Sequence, residues 1–218
     1  MKRIKNIYIW IYSLYFCLRV FSLRQALKLP VKISPNIKLG YLYKGCIVIN
    51  SLYIKRGMIT IGLVGSEAVQ YLKGYLTIKG QLIFNCKADF GKGTSIRVDE
   101  NAQLIIGDNF WCNKNTFIRC NQKIVIGDHV LMGWNCTIND CDGHTLIDSG
   151  ISKSNCGSVG IGNHVWIASN VTLLKNTFIA DECVVASHSL CCKSYTTAHS
   201  LIAGMPARII KNNISWKL

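Results

Sequence analysis

The sequence predicts an all-β solenoid of short strands and tight turns, and three observations carry that expectation. From Ile161 onward the inward-type residues recur every six positions, as Ile161, Ile167, Leu173, Ile179, Val185 and Cys191. The residue after each is mostly small: Gly162, Ala168, Leu174, Ala180, Ala186 and Cys192. The same phase runs upstream through Ile106, Cys112 and Ile118, then, after a two-residue slip, through Ile126, Met132 and Ile138. A helix would space its apolar residues by three and four, and a plain strand by two, so a period of six belongs to neither. It suits a strand-plus-turn that aims one large aliphatic at an axis while a small neighbour makes room at the corner. No such coil is stable alone, and stacking buries a continuous column.

Composition agrees. The 218 residues are 50% hydrophobic and 17% charged, with three prolines and a mean hydropathy of +0.24, far from the profile of disordered chains. The length suits one domain or one repeat array with short extensions. A net charge of +14 favours anionic partners without choosing among them. The eleven cysteines form no C-x-x-C pair and no ladder, which argues against a zinc ribbon or disulfide scaffold. They read as reduced thiols of a cytosolic protein, with Cys112 and Cys191 at inward positions and Cys136 and Cys183 at small ones.

Along the chain, residues 1–32 form a separate apolar and basic extension, expected to be helical. Ile7 to Leu18 (IYIWIYSLYFCL) is flanked by Lys2, Arg3 and Lys5 and by Arg19, Arg24, Lys28 and Lys32. Twelve residues are too few to cross a bilayer, which takes about 20. Two readings stand: a segment lying in the interface of an anionic membrane, or an arm docked on the protein's own flank or a neighbouring subunit. The solenoid domain is placed at 33–205. Its phase is traced from about Ile59 through Ile78, Phe84, Phe90 and Ile96, and 206–218 is a tail. From Ile138 to Ile161 the count is no multiple of six, so part of 140–159 leaves the coil as a loop, where function commonly sits.

The array, the loop opening INDCDGH (138–144), the segment IGNHVWIASNVTLLKN (161–176) and the ending LIAGMPARIIK (201–211) together resemble the hexapeptide-repeat acyltransferases. LRQALKLPVKI (23–33) and ISW (214–216) look like the branch that O-acetylates sugars of surface polysaccharides. The resemblance implies a left-handed parallel β-helix, acetyl-CoA as donor, a glycan or sugar acceptor, a trimer with the site between subunits, and work in the cytoplasm, at the inner membrane face if residues 1–32 touch lipid.

Acetyl transfer to a hydroxyl needs a base for the proton and donors for the oxyanion. His144 is the candidate base: imidazole titrates near neutrality, the residue lies on the loop, and it matches the family's histidine. Asp140 and Asp142 are candidates to orient it, or else open the loop as Asx turns. Asn135 matches an acceptor and oxyanion position and is equally readable as a turn residue. Trp166 is expected to wall the acetyl and pantetheine pocket, with the amides at Ala168 and Ser169 meeting the thioester. Ser187 lies on the pantetheine path, where His188 replaces a glycine usual in similar enzymes. Lys193, Arg208 and Lys211 match basic positions near the CoA phosphates. No metal is expected, because the five histidines lack the close pair a zinc enzyme of this fold needs. Nucleic-acid binding rests on charge alone. The alternatives are a non-enzymatic membrane-associated solenoid and an N-acetyltransferase of amino sugars.

Overall fold

The computed structural model describes residues 2–65 and 72–217, with side chains from residue 6 onward; the side chains of Lys2, Arg3 and Lys5 lie outside that range. The chain winds as a left-handed parallel β-helix whose coils contribute one strand to each of three sheets. Along the first sheet the strands run Val31–Ile33, Ile59–Val64, Ala88–Gly91, Phe110–Cys112, Leu131–Met132, Trp166–Ile167, Val184–Val185 and Leu201–Gly204, with Ala207–Lys211 folded back antiparallel at the end. The second sheet stacks seven strands from Ile37–Leu39 to Leu190–Cys191, and the third seven from Ile47–Ile49 to Ser194–Tyr195. Each strand pairs in parallel with the one a coil later. Ile118 lies beside Ile138, Leu173 beside Ile138, and Cys191 beside Leu173.

The six-residue period is the inward column. Ile161, Ile167, Leu173, Ile179, Val185 and Cys191 are all buried, as are Ile106, Cys112, Ile118, Ile126, Met132 and Ile138. Each fully buried aliphatic contributes roughly 1.5–3 kcal/mol of transfer free energy. Cys136 and Cys183 fill the small position, buried as expected. At the corner leaving the third sheet, a Cβ on Gly107 would collide with the Gly127 carbonyl, and one on Gly127 with that of Gly162. The next residue then reaches across the coils. Asp128 Oδ1 accepts the Asp108 N–H at 2.6 Å, Asn163 Oδ1 that of Asp128 at 2.9 Å, and Asp181 Oδ1 that of Asn163 at 2.7 Å. Burial pushes the Asp108 carboxyl up, but the Lys87 and Asn109 amides outweigh it and hold it below the usual range.

One expectation about extent changes. The array does not begin near Ile59: a complete coil precedes it, with Val31 paired to Ile59 and Ile37 to Gly74. Long turns between its strands break the six-residue spacing and hide it in the sequence. The tail is structured too, since Ala207–Lys211 pairs with Leu201–Gly204 and Trp216 is 9% exposed.

Helix α1 (Lys2–Val20) lies across the open end of the first coil and touches all three of its sides. Ser13 Oγ accepts the Ile33 N–H at 3.0 Å, the Tyr12 hydroxyl donates to the Ile37 carbonyl at 2.9 Å, and Gly45 N–H donates to the Val20 carbonyl at 2.8 Å. Phe16, Cys17 and Val20 are fully buried beneath it. Among the described residues no helix is long and apolar enough to cross a membrane.

Burial lifts the Cys17 and Cys112 thiols to about 11 and Cys191 to about 12. The folded chain therefore keeps protons that the unfolded chain releases near pH 9, and stability present below that value falls as pH rises toward 11–12. Urea denaturation at stepped alkaline pH should show this loss, and Cys112→Ala combined with Cys191→Val should flatten the slope.

Candidate functional site

The coil leaves its prism at length between strands Thr137–Asn139 of the second sheet and Val159–Ile161 of the third, and the segment between them carries His144. The loop has a small antiparallel hairpin, Ile147–Asp148 against Ile151–Ser152, and a base fixed in three ways. First, Asp140 is completely buried, and its carboxylate accepts the N–H groups of Asn121, Gln122 and Lys123 at 2.6, 2.8 and 2.9 Å. Second, Cys141 and Cys156 are joined by a disulfide. Third, Asp142 pairs with Lys175 at 2.6 Å, while Lys175 Nζ also donates to the Ser154 carbonyl at 2.6 Å. His144 is exposed on this platform with no hydrogen-bond partner among the described residues.

Three sequence expectations are corrected here. Asp140 does not orient the imidazole, because both of its oxygens are committed to the turn at 121–123 one coil earlier. Asp142 faces a lysine rather than the histidine. Cys141 and Cys156 are not free thiols, because the loop brings two residues 15 apart in sequence to a Cα separation of 4.0 Å.

Beneath the loop lie two groups that sequence reading missed. A Cβ on Gly143 would sit 3.9 Å from Arg119 Nη1, so the guanidinium reaches the chain directly beside His144. Arg119 Nε and Asn121 Oδ1 are buried without a hydrogen-bond partner among the described residues, although Asn121 Nδ2 donates to Asp99 Oδ2 at 2.7 Å. Unmet buried polar atoms are rare, and the Arg119 side chain that carries one of them reaches the chain beside the candidate base. No hexapeptide phase marks them, since both occupy outward or corner positions.

Asn135, Ala168, Ser169 and Ser187 stand on another edge of the prism, between the first and second sheets. Asn135 has φ +57° and belongs to a ladder of turn residues. Asn115 Nδ2 donates to Asn135 Oδ1 at 2.9 Å, Asn135 Nδ2 donates to Asn170 Oδ1 at 3.2 Å, and Asn170 Nδ2 meets His188 Nε2 at 3.3 Å. Asn135 is thus a left-handed corner, where asparagine is the best tolerated residue after glycine. His188, at φ +60°, ends the ladder as an exposed corner. The Ala168 amide donates to the Val185 carbonyl at 2.9 Å and is not available to a ligand. The neighbouring amides of Ser169 and Ser187 have no acceptor among the described residues. Trp166, 39% exposed, stands on the outer face of the first sheet beside Leu131 and 6.1 Å from the Trp216 ring. Trp216 stacks on His164 at 4.2 Å, and His164 pairs with Glu182 at 2.6 Å. On the same face a groove of about 570 Å³ opens between Trp111, Leu131 and His164.

The three cations do not converge. Lys193 lies on the His144 edge, between the second and third sheets, whereas Arg208 and Lys211 are exposed on the last strand of the first sheet. Within one chain, then, the loop with His144 and Lys193 occupies one edge, Ser169 and Ser187 occupy another, and Trp166 stands on the first sheet.

Three stacked parallel sheets with a six-residue inward column and one protruding histidine loop define a left-handed parallel β-helix built of hexapeptide repeats. No family model matches the chain. It is 32% identical over 176 residues to a probable acetyltransferase of Mycobacterium tuberculosis, covering 77% of this chain and 55% of that protein. It is 32% identical over 112 residues to galactoside O-acetyltransferase of Escherichia coli, covering 50% of this chain and 54% of that protein. The chain thus spans about half the length of these two relatives. The crystal structure of the polysialic-acid-specific acetyltransferase NeuO superposes with a TM-score of 0.57 at 18% identity, covering 87% of this chain and 89% of that one, a likeness of fold. The chain is similar to acetyltransferases over about half of their length, and it shares a fold with one of them.

Replacing Asp140 with alanine should strand three amides and lower the free energy of unfolding by about 2–4 kcal/mol. Chemical denaturation measures it, and faster amide exchange at 121–123 should accompany it. Unchanged stability would show that the carboxylate does not anchor the loop.

Proposed function

We propose that the chain is an acetyl-CoA-dependent O-acetyltransferase acting on a sugar hydroxyl of a surface polysaccharide or related glycan, with His144 as general base. The observation that carries this reading is the rigidly based loop that presents one exposed imidazole. Such a setting suits a polyhydroxyl acceptor, because the Arg119 guanidinium reaches the chain beside His144 as a donor. The named activities of the galactoside and polysialic acid enzymes support the same substrate class.

In this mechanism His144 takes the hydroxyl proton as the sugar oxygen attacks the acetyl carbonyl carbon. The tetrahedral oxyanion is held by main-chain N–H groups, for which Ser169 and Ser187 are the candidates in place of Ala168. The C–S bond breaks, and the imidazolium returns its proton to the CoA thiolate. Trp166 and the apolar groove beside Leu131 suit the pantetheine arm, and Lys193, Arg208 and Lys211 suit the phosphates. Since Trp166, Ser169 and Ser187 lie away from the edge that carries His144, a working site joins the His144 edge of one subunit to the first-sheet side of the next. This supports a trimer. The proposal also holds the enzyme at the cytoplasmic face of a membrane through residues 1–32.

His144→Ala should lower transfer to a sugar acceptor by about 10²–10⁴-fold, while calorimetric affinity for CoA stays unchanged. Full transfer by that variant would overturn the assignment.

A further inference from the structure

Helix α1 has two apolar faces, and the solenoid covers only one. Ser13, Phe16, Cys17 and Val20 point into the first coil. On the opposite face Ile7, Tyr8, Ile11, Leu14, Tyr15 and Leu18 are 36–61% exposed, at the spacing of a single helical stripe. The loop at 50–58 is tied to this helix by the Arg56 guanidinium, 4.3 Å above the Trp10 ring. It adds Leu52 and Tyr53, 94% and 80% exposed. A helix apolar on all sides is stable in water only when both faces are covered.

The charge around this face is of one sign. Residues 1–65 contain eleven Lys or Arg and no Asp or Glu. Beside the stripe, between α1 and the strand Ile37–Leu39, lies a groove of about 500 Å³ lined by Tyr12, Tyr15, Arg19, Lys38 and Lys73, with no acidic side chain among the described residues that line it. We infer that this capped end of the solenoid docks on a bilayer rich in anionic phospholipid, with the α1 stripe in the headgroup–acyl boundary and lipid phosphates against Arg19, Lys38 and Lys73. An apolar centre with an aromatic and cationic rim matches the layering of such an interface. Two copies of this face repel one another, which disfavours its pairing with itself.

The orientation follows from α1 lying across the end of the coil: the solenoid axis stands off the membrane. From Ile37–Leu39 to Thr137–Asn139, where the His144 loop begins, is four strand spacings along the second sheet, about 19 Å at ~4.8 Å each. Resting on the transferase reading above, this places acetylation on the glycan part of a bilayer-anchored acceptor, away from the anchor itself.

The test is co-flotation of the full chain with vesicles of phosphatidylcholine alone or with about one-third phosphatidylglycerol. Binding to the anionic vesicles should be at least tenfold tighter and should weaken with salt. Ile11→Asp with Leu18→Asp, both exposed, should lose at least tenfold while melting temperature and mass by light scattering stay constant. Lys38→Glu with Lys73→Glu should remove the preference for anionic lipid. Equal, weak binding to both vesicles would overturn the inference. So would α1 variants that still float, variants whose mass changes because a second copy covers the face, or inorganic phosphate displacing the protein beyond chloride of equal ionic strength. Transfer to a soluble sugar is measured in parallel. Its loss with intact vesicle binding would count against the transferase reading alone, and absent vesicle binding with intact transfer against the docking alone.

Discussion

Each coil lies one strand spacing from the next, and in the middle coils the corner leaving the third sheet has no room for a side chain at Gly107, Gly127 or Gly162. Gly107 and Gly127 meet the backbone of the following coil, and the Asp or Asn after each glycine reaches back to an amide of the coil before. That contact fixes the register between coils. Register fixes which aliphatic sits above which, and the same register decides where an outward residue appears on the prism. The placement of Trp166 beside Leu131, and of the loop base beside the turn at 121–123, are consequences of the corner.

The loop illustrates how a regular scaffold holds an irregular segment. Asp140 is the last residue before the chain leaves the coil, and its carboxylate occupies a place where the solenoid has three amides pointing inward at one turn. The excursion therefore begins from a fixed point, and the disulfide and the Asp142–Lys175 pair bring its far end back to the prism. Position without much loop flexibility is what a general base requires, since proton transfer depends on distances of a few ångströms.

Much of this was legible in the residues, for a specific reason. A solenoid converts three-dimensional stacking into a fixed sequence interval, so Ile161 to Cys191 announce both their burial and their neighbours. Where turns lengthen, the interval is lost, and the first coil at Val31–Ile49 went unread although it packs like the others. Side-chain roles were less legible. Asp140 and Asp142 stand two residues apart before a histidine, a pattern that suits catalysis and anchoring equally; only the partners distinguish them. Arg119 and Asn121 gave no signal, because their nearness to the loop comes from stacking across coils. The two readings of residues 7–18 looked exclusive in one dimension, yet the helix has a face for docking on its own flank and another that is left bare.

The two ends of the prism are finished differently from its middle. Every interior strand is paired on both sides, whereas the first and last coils would otherwise present open rows of N–H and C=O groups to solvent. Such rows accept further strands, from another copy as readily as from the same chain. The helix across the first coil and the antiparallel return of Ala207–Lys211 on the last strand of the first sheet occupy these places. They set the length of the array: a repeat that could in principle continue is stopped after a definite number of turns, and the molecule remains a particle instead of growing into a fibre.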